Sequence, residues 1–448
     1  SQDRISATSP AAKVYHYPPV RRLAFAGLSS FHWRMTSPVQ PPAICPRNDA
    51  GLAATILHIS RWALLTVLLA IVSAAAAPAF RAQTIDDAIQ IGYGLAVADV
   101  DGDGRPDIIL ADKHQIVWYA SPAWTKHVIA ERLTELDHVC VPAADIDGDG
   151  KAEIAAGAGW NPGDTRGSGA LFFLEPPADR TQRWRPVPLP HEPTIHRIRW
   201  ARDHAGKHSL VSVPLHGRGN EPGPGTGVGV RVDRYLPPAR PGGAWTQVLL
   251  HEALNKTHNF DPVPWDDDPA HELVIASRQG LYLSDPLPAG NAALTLLATN
   301  DLGGMGEVRA GKLGDGRRFL AAIEPMHGNT LALFRPPADT GLWSRTVLDE
   351  SLVDGHALAT GDLLGLGHDQ IVVGWRAMNR PGVKVGVKLL VAKDPAGDAW
   401  ESHLLDDNTM ACEDLMLADL DGDGDLDIVA AGRATKNVKI YWNERLRP

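Results

Sequence analysis

Asp99-Val-Asp-Gly-Asp-Gly-Arg-Pro-Asp107 is the first of three copies of one acidic loop; the others are Asp145-Ile-Asp-Gly-Asp-Gly-Lys-Ala-Glu153 and Asp419-Leu-Asp-Gly-Asp-Gly-Asp-Leu-Asp427. Carboxylates recur at relative positions 1, 3, 5 and 9: Asp99, Asp101, Asp103 and Asp107; Asp145, Asp147, Asp149 and Glu153; Asp419, Asp421, Asp423 and Asp427. Alternating oxygen donors, glycines for the sharp turn and a backbone carbonyl at position 7 are the ligand spacing of a calcium loop. Each copy follows an apolar run and precedes a β-rich one (Ile108-Ile-Leu, Ile154-Ala-Ala, Ile428-Val-Ala). The loop therefore joins two strands, which excludes a helix–loop–helix sensor and predicts a repeated hairpin with up to three structural calcium sites. The plain alternative is a solvated acidic turn.

A second signature repeats out of phase with the first. Ala123-Trp124, Arg183-Trp184, Ala244-Trp245, Leu342-Trp343 and Ala399-Trp400 each open an apolar-alternating run, most of them after a Pro-containing turn, and Ala293-Leu-Thr-Leu-Leu297 is a sixth copy without Trp. Such runs are half-buried strands. Between the markers lie seven segments beginning near Tyr93, His138, His196, His258, Glu307, His356 and Glu413, each reading as four short strands. The prediction is an all-β fold, a seven-bladed β-propeller with four-stranded antiparallel blades. The last unit ends at Tyr441-Trp-Asn-Glu after three strands, so Gln83-Thr-Ile-Asp-Asp-Ala-Ile89 is expected to supply its fourth and close the ring. The Trp set could form a sugar platform; packing between repeated units is the simpler reading.

Residues 1–60 are rich in Pro, Ser and Arg and show no period, and read as a leader or upstream extension. Arg61 followed by an apolar run to Ala77 reads as a secretory signal with cleavage near Ala77 or Ala79, and residues 61–82 are set aside as that segment, leaving 83–448 for the propeller. A secreted or periplasmic location follows, with no stable membrane span once the signal is removed. Most of the net charge of −10 sits in the three loops. Without a basic stripe, nucleic acid is not an expected partner. Cys140 and Cys412 make no disulfide framework. Oligomeric state is left open.

If the acidic loops mark one rim, the opposite rim holds the start of every first strand and the turn after every second strand. The starts are the seven residues named above, and the exits give Lys113-His114, Trp160, His216-Gly-Arg218, Arg278, His327-Gly-Asn329, Arg376 and Arg433. Recurrent histidine, carboxylate and arginine around a concave mouth is a candidate active site. His196, His258 and His356 are the expected metal ligands or bases, with Glu307 and His327 beside them, and Arg218 and Arg376 as holders of substrate oxygens. His138, Trp160, His216, Arg278 and Glu413 are expected to line the substrate. Converging imidazoles suit zinc or another divalent metal, neutral His or Glu suits proton abstraction, and Arg suits a developing enolate.

The Asp-rich loops and their spacing resemble FG-GAP/VCBS repeats, the calcium-bearing propeller repeats of integrin α subunits, over about residues 83–448. Literal Phe-Gly and Gly-Ala-Pro strings are absent, and four of the seven loops are degenerate, with Gly314-Asp-Gly316 and His368-Asp369 as remnants. The strings His196-Arg-Ile-Arg-Trp200, Pro214-Leu-His-Gly-Arg218, Thr257-His-Asn-Phe260, Glu324-Pro-Met-His-Gly-Asn329, Asp354-Gly-His356 and Met410-Ala-Cys-Glu-Asp414 resemble the propeller module of aldos-2-ulose dehydratases and, more loosely, propeller polysaccharide lyases. That resemblance implies β-elimination on an oxidised or anhydro sugar or a uronate-containing glycan. Two other readings stand beside it: a non-catalytic glycan-binding or adhesion module, and a glycoside hydrolase using Glu307 and Glu413.

Overall fold

The structure is a computed structural model that describes residues 78–240, 242–287, 290–378 and 381–445. The expected leader and signal run to Ala77 lie outside the described residues. Among those described there are 28 strands and no helix, and the strands form seven four-stranded antiparallel sheets.

Each sheet is one blade, ordered from the axis outward. Blade 1 is Gly94–Ala98, Asp107–Ala111, Gln115–Ala120 and Thr125–Glu131. The first strands of blades 2 to 7 are Ala143–Ala144, Ile195–Arg202, Asn259–Val263, Glu307–Lys312, Gly355–Gly361 and Cys412–Ala418. Successive first strands contact one another around the ring, and blade 7 returns to blade 1. The second strands read as continuous apolar runs (Ile108-Ile-Leu-Ala111, Gln370-Ile-Val-Val-Gly-Trp375) because both of their faces are covered by neighbouring blades.

The outermost strand of blade 7 is Phe80–Asp86, paired antiparallel with Asn437–Asn443 from Phe80↔Asn443 to Asp86↔Val438. Ring closure by the N-terminal segment is as expected, but the strand begins at Phe80, three residues before the expected Gln83, and ends at Asp86 rather than Ile89. Phe80 explains the shift: it packs into the cluster of Leu363, Leu389 and Tyr441 between blades 6 and 7.

The tryptophans are packing residues. Each leans on the blade before its own: Trp124 on Trp442, with ring centroids 6.2 Å apart, Trp245 on Phe173 at 5.1 Å, Trp343 on Trp265 at 5.9 Å and Trp400 on Phe319 at 6.0 Å. Trp184 joins Ile109, Trp118 and Ile129 of blade 1, and its backbone N–H donates to the Ile129 carbonyl at 2.9 Å. A large ring at one repeated position fills the wedge that opens between diverging sheets. Phe80 takes that role in blade 7.

Candidate active site

The mouth opposite the acidic loops is built by a local irregularity. The register of the first and second strands slips between Ile195 and Arg197, between Gly355 and Ala357, and between Cys412 and Asp414. The extra residues are His196, His356 and Glu413, at equivalent places in blades 3, 6 and 7. A bulge re-aims a side chain that regular alternation would turn elsewhere. His258 stands just before the first strand of blade 4, and its N–H donates to the Ala276 carbonyl at 3.2 Å.

His327 comes from the turn after the second strand of blade 5, Arg318–Glu324, and takes a left-handed backbone with φ 55°. Gly306 makes room for that turn: a β-carbon there would stand 2.9 Å from Met326 Cα and 3.3 Å from the His327 nitrogen.

These residues converge. His258 Nε2 lies 2.7 Å from His327 Nε2, and His258 Nδ1 lies 2.9 Å from Glu307 Oε1. The His258 ring centroid is 4.5 Å from His196 and 5.2 Å from His356, and His327 is 4.9 Å from His356. One ligand atom from each of His258, His327 and His356 falls within 4.8 Å of the others. His196 Nδ1 bonds to the His258 carbonyl at 2.7 Å, and His356 Nδ1 to the Glu413 carbonyl at 2.5 Å. Trp160 covers His196, with centroids 4.8 Å apart.

Arginines and carboxylates brace the rings. Arg376 donates to Glu413 Oε2 at 2.6 Å and Asp354 Oδ2 at 3.2 Å, and its Nη2 lies 3.4 Å from His327 Nδ1. Arg433 donates to Glu413 Oε1 at 2.9 Å. Arg197 reaches within 3.7 Å of Glu307 Oε1, and Asn259 donates to Glu307 Oε2. Only His327 among the four rings is open: its side chain is 32% exposed, against 1% for His258.

Burial pushes all four imidazoles below their ordinary pKa, and nearby guanidinium groups, Arg197 and Arg376 above all, add to the shift. For His258 the Glu307 carboxylate opposes the shift without cancelling it. Burial alone would raise Glu307, but His258, Arg197 and Arg309 outweigh it and hold the carboxyl below its usual range. The site is thus an ionised carboxylate beneath neutral imidazoles.

Of the residues expected from sequence, His196, His258, Glu307, His327, His356, Arg376, Glu413 and Trp160 are brought together. Four are not. Arg218 turns away to Glu192 Oε2 at 3.0 Å, and Arg278 donates to the Pro224 carbonyl at 2.5 Å. His138 is fully buried, with Nε2 accepting the Leu133 N–H at 3.2 Å. His216 is buried beside Lys256, and burial brings its pKa down to about 4. Arg197, Asn259 and Asp354 belong to the assembly without having been assigned to it from sequence, and so does Arg433, which the sequence placed on this rim without giving it a role. The first three adjoin His196, His258 and His356 in the strings quoted above; Arg433 stands at a second-strand exit. Only their contacts reveal their part.

At the other rim the three acidic loops share one geometry. In the first, Asp99 accepts the N–H groups of Gly102 and Gly104 at 2.7 and 2.8 Å, Asp101 that of Asp103 at 3.1 Å, and Asp107 that of Val100 at 2.9 Å. Asp145 and Asp419 repeat the pattern with Gly148 and Gly150 and with Gly422 and Gly424. Carboxylate oxygens from Asp99, Asp101 and Asp107, from Asp145, Asp147 and Glu153, and from Asp419, Asp421 and Asp423 gather within 4.8 Å in each loop. Burial raises Asp107 to about 7 and Asp427 to about 6.

Comparison with known proteins agrees with this architecture. A family model described as an FG-GAP-like repeat matches residues 99–156. No curated protein matches the sequence significantly. A chain in the crystal structure of a mitotic checkpoint complex aligns over 83% of this chain and 92% of its own, with TM-score 0.52 and 11% identity. A chain of the BBS1N complex with ARL6DN aligns over 82% and 98%, with TM-score 0.51 and 14% identity. Rhamnogalacturonan lyase YesW aligns over 82% and 76%, with TM-score 0.46 and 13% identity. For the first two, likeness at such identities is likeness of fold. Residues 99–156 thus match an FG-GAP-like repeat within a seven-bladed β-propeller.

Proposed function

We propose that this propeller catalyses β-elimination on a carbohydrate held at the histidine mouth. The observation that carries the reading is the chain Glu307–His258–His327, with contacts of 2.9 and 2.7 Å, which starts at a buried carboxylate and ends at the one ring open to solvent. Glu307 Oε1 lies 2.9 Å from His258 Nδ1, off the line of a hydrogen bond, and its negative charge favours a proton on that nitrogen, which leaves His258 Nε2 as an acceptor. His327 then donates from Nε2 and keeps its lone pair on Nδ1. A neutral imidazole so oriented is a general base near neutral pH.

The step balances as follows. His327 Nδ1 takes the proton from a carbon next to a carbonyl or carboxylate. The C–H electrons become an enolate, which expels the β-oxygen substituent and leaves a carbon–carbon double bond. The departing oxygen takes up the proton that His327 Nδ1 removed, which returns the ring to its neutral form. His258 and Glu307 stabilise the imidazolium through its Nε2–H, and Arg376 lies beside the position where the enolate charge develops. The substrate class is an oxidised or anhydro sugar or a uronate-containing glycan.

In place of the proton between His258 Nε2 and His327 Nε2, His258, His327 and His356 would hold a zinc or similar divalent ion. Their imidazoles are neutral, and Glu307 and the Glu413 carbonyl hold the second nitrogens of His258 and His356, as partners of metal-bound histidine do. Such an ion would supply Lewis-acid polarisation of a substrate oxygen. On the opposite rim the three motif loops are proposed to hold calcium, which relieves the cost of ionising carboxylates as buried as Asp107 and Asp427. A secreted or periplasmic location would suit loops of this kind, which in extracellular modules bind at roughly 10⁻⁴–10⁻³ M.

The test is ultraviolet absorbance. Incubation with an anhydro-ketose or an oligouronate should produce a conjugated chromophore, and His327→Ala should slow its appearance by at least about 10²-fold while circular dichroism is unchanged. No chromophore from either substrate class, or full activity in the variant, overturns the proposal. Glycan retention without product would favour the binding module.

A further inference from the structure

Tyr93 stands just before the first strand of blade 1, at the place His258 holds in blade 4, and donates its N–H to the Ala111 carbonyl at 2.9 Å as His258 does to that of Ala276. Its side chain builds a second polar arc along the mouth, through blades 7, 1 and 2. The ring is buried, and the hydroxyl donates to Asp137 Oδ2 at 3.0 Å. The Arg433 guanidinium lies over the ring, 5.1 Å from its centroid, and Nη1 donates to Glu413 Oε1 at 2.9 Å, beside the oxygen that Arg376 takes. Asp137 is tied in turn to Trp160, whose backbone N–H donates to the Asp137 carbonyl at 3.1 Å. Tyr93 and Trp160 pack in one cluster with Val139 and Ile195.

Both ends of this arc are open. The Arg433 side chain is 39% exposed, against 10% for Arg376, and Glu413 takes only one of its three nitrogens. Asp137 is half-buried; Tyr93 takes Oδ2, and among the described residues nothing donates to Oδ1. Trp160 beside them is half-buried. Burial pushes Tyr93 up to about 12, so its hydroxyl keeps the proton that it gives to Asp137. The arc therefore offers a donor over the face of Tyr93 and an anionic acceptor at its hydroxyl. Hydroxyl groups both donate and accept, so a polyol satisfies the two ends at once. A carboxylate suits Arg433 but meets the charge of Asp137, and a cation meets that of Arg433.

We propose that Arg433, Tyr93 and Asp137, with Trp160 beside them, form a subsite for a neutral sugar ring. Arg433 donates to one hydroxyl oxygen, and Asp137 Oδ1 accepts from a neighbouring hydroxyl. Tyr93 is the positioning residue, because it holds both of these groups in place. The subsite rests on the reading of the mouth as a carbohydrate site, and not on elimination as its chemistry.

The whole protein is titrated with glucose, galactose, mannose and rhamnose, and with glucuronate, and binding is read by saturation-transfer NMR. At least one neutral sugar should bind more tightly than glucuronate. Arg433→Met should weaken that sugar by at least about 10-fold, with circular dichroism unchanged. Asp137→Asn, which keeps the shape of the side chain and removes its charge, should narrow the preference over glucuronate. Tyr93→Phe keeps a ring under Arg433 and releases Asp137; the neutral sugar should weaken while its preference over glucuronate persists, the pattern of a lost position and not of a lost charge. Binding by none of the neutral sugars, or equal affinity in Arg433→Met, overturns the subsite. Ultraviolet absorbance separates it from the chemistry. Sugar binding that Arg433→Met destroys, in a protein that forms no chromophore, leaves the subsite standing and removes elimination. A chromophore from the anhydro-ketose with an unaltered KM in Arg433→Met does the reverse.

Discussion

At the scale of single residues, the mouth depends on which nitrogen carries each proton. Glu307 is the residue that decides. Glu307→Gln keeps the shape of the side chain but can no longer fix the proton on His258 Nδ1 as an anion does. We expect elimination to fall by about 10²-fold or more, with the thermal midpoint little changed; steady-state rates beside a melting curve check this. Arg376→Lys should also be costly, because one guanidinium spans Glu413, Asp354 and the edge of His327, a fork that an ammonium cannot reproduce. The candidate residues themselves were legible in sequence, since strand starts and turn exits could be counted off the repeat. Their partners were not. Nothing in the order of residues tells Arg376, which turns inward to Glu413, from Arg218, which turns outward to Glu192. That choice is made by loop conformation and by which carboxylate lies within reach.

At the scale of strands and turns, the period of two along a β-strand shows where a blade begins but hides a bulge, because one extra residue leaves the hydrophobic pattern on either side intact. His196, His356 and Glu413 owe their aim to such insertions. The turn that carries His327 depends on close backbone approach. Gly306→Ala would press its methyl group on the Met326 backbone, so activity should drop more than stability does, and His327 should shift in a crystal structure of the variant. The tryptophan strands behave in the opposite way. Trp184 is 3% exposed and far from the mouth; Trp184→Ala should cost about 3–5 kcal/mol, read as a lowered denaturant midpoint with kcat of the surviving folded protein unchanged. Calcium belongs at this scale too. Chelation should lower the thermal midpoint, and Asp145→Asn should reproduce part of that loss.

At the scale of the whole molecule, blade count and ring closure were legible because seven similar units left one strand missing at the end and one spare at the start. The earlier start at Phe80 was not, since a small apolar stretch after a signal-like run reads as part of it. Two carboxylates hold the closing blade to its neighbours. Asp86 accepts from Lys126 and Tyr119 of blade 1 at 2.7 Å each, and Asp406 of blade 6 accepts from Lys439 at 3.0 Å and Tyr441 at 2.9 Å in blade 7. Burial tends to raise both, but Lys126 and Tyr119 at Asp86, and Thr409 ahead of Lys439 at Asp406, prevail, and both carboxyls sit below their ordinary value. The sign follows: the stability they add is present above the unfolded carboxylate pKa of about 3.9 and is lost as pH falls through the lower folded values. Acidification below about pH 4 should therefore loosen blade 7 first, seen as early hydrogen exchange in 80–86 and 437–443. Arg81 and Glu444, joined at 2.8 Å, are 363 residues apart along the chain. On a ribosome the two halves of that seam emerge 363 residues apart, so the nascent polypeptide stays an open horseshoe with a bare strand edge until the segment around Glu444 is released, and that interval is when a chaperone has the most to protect.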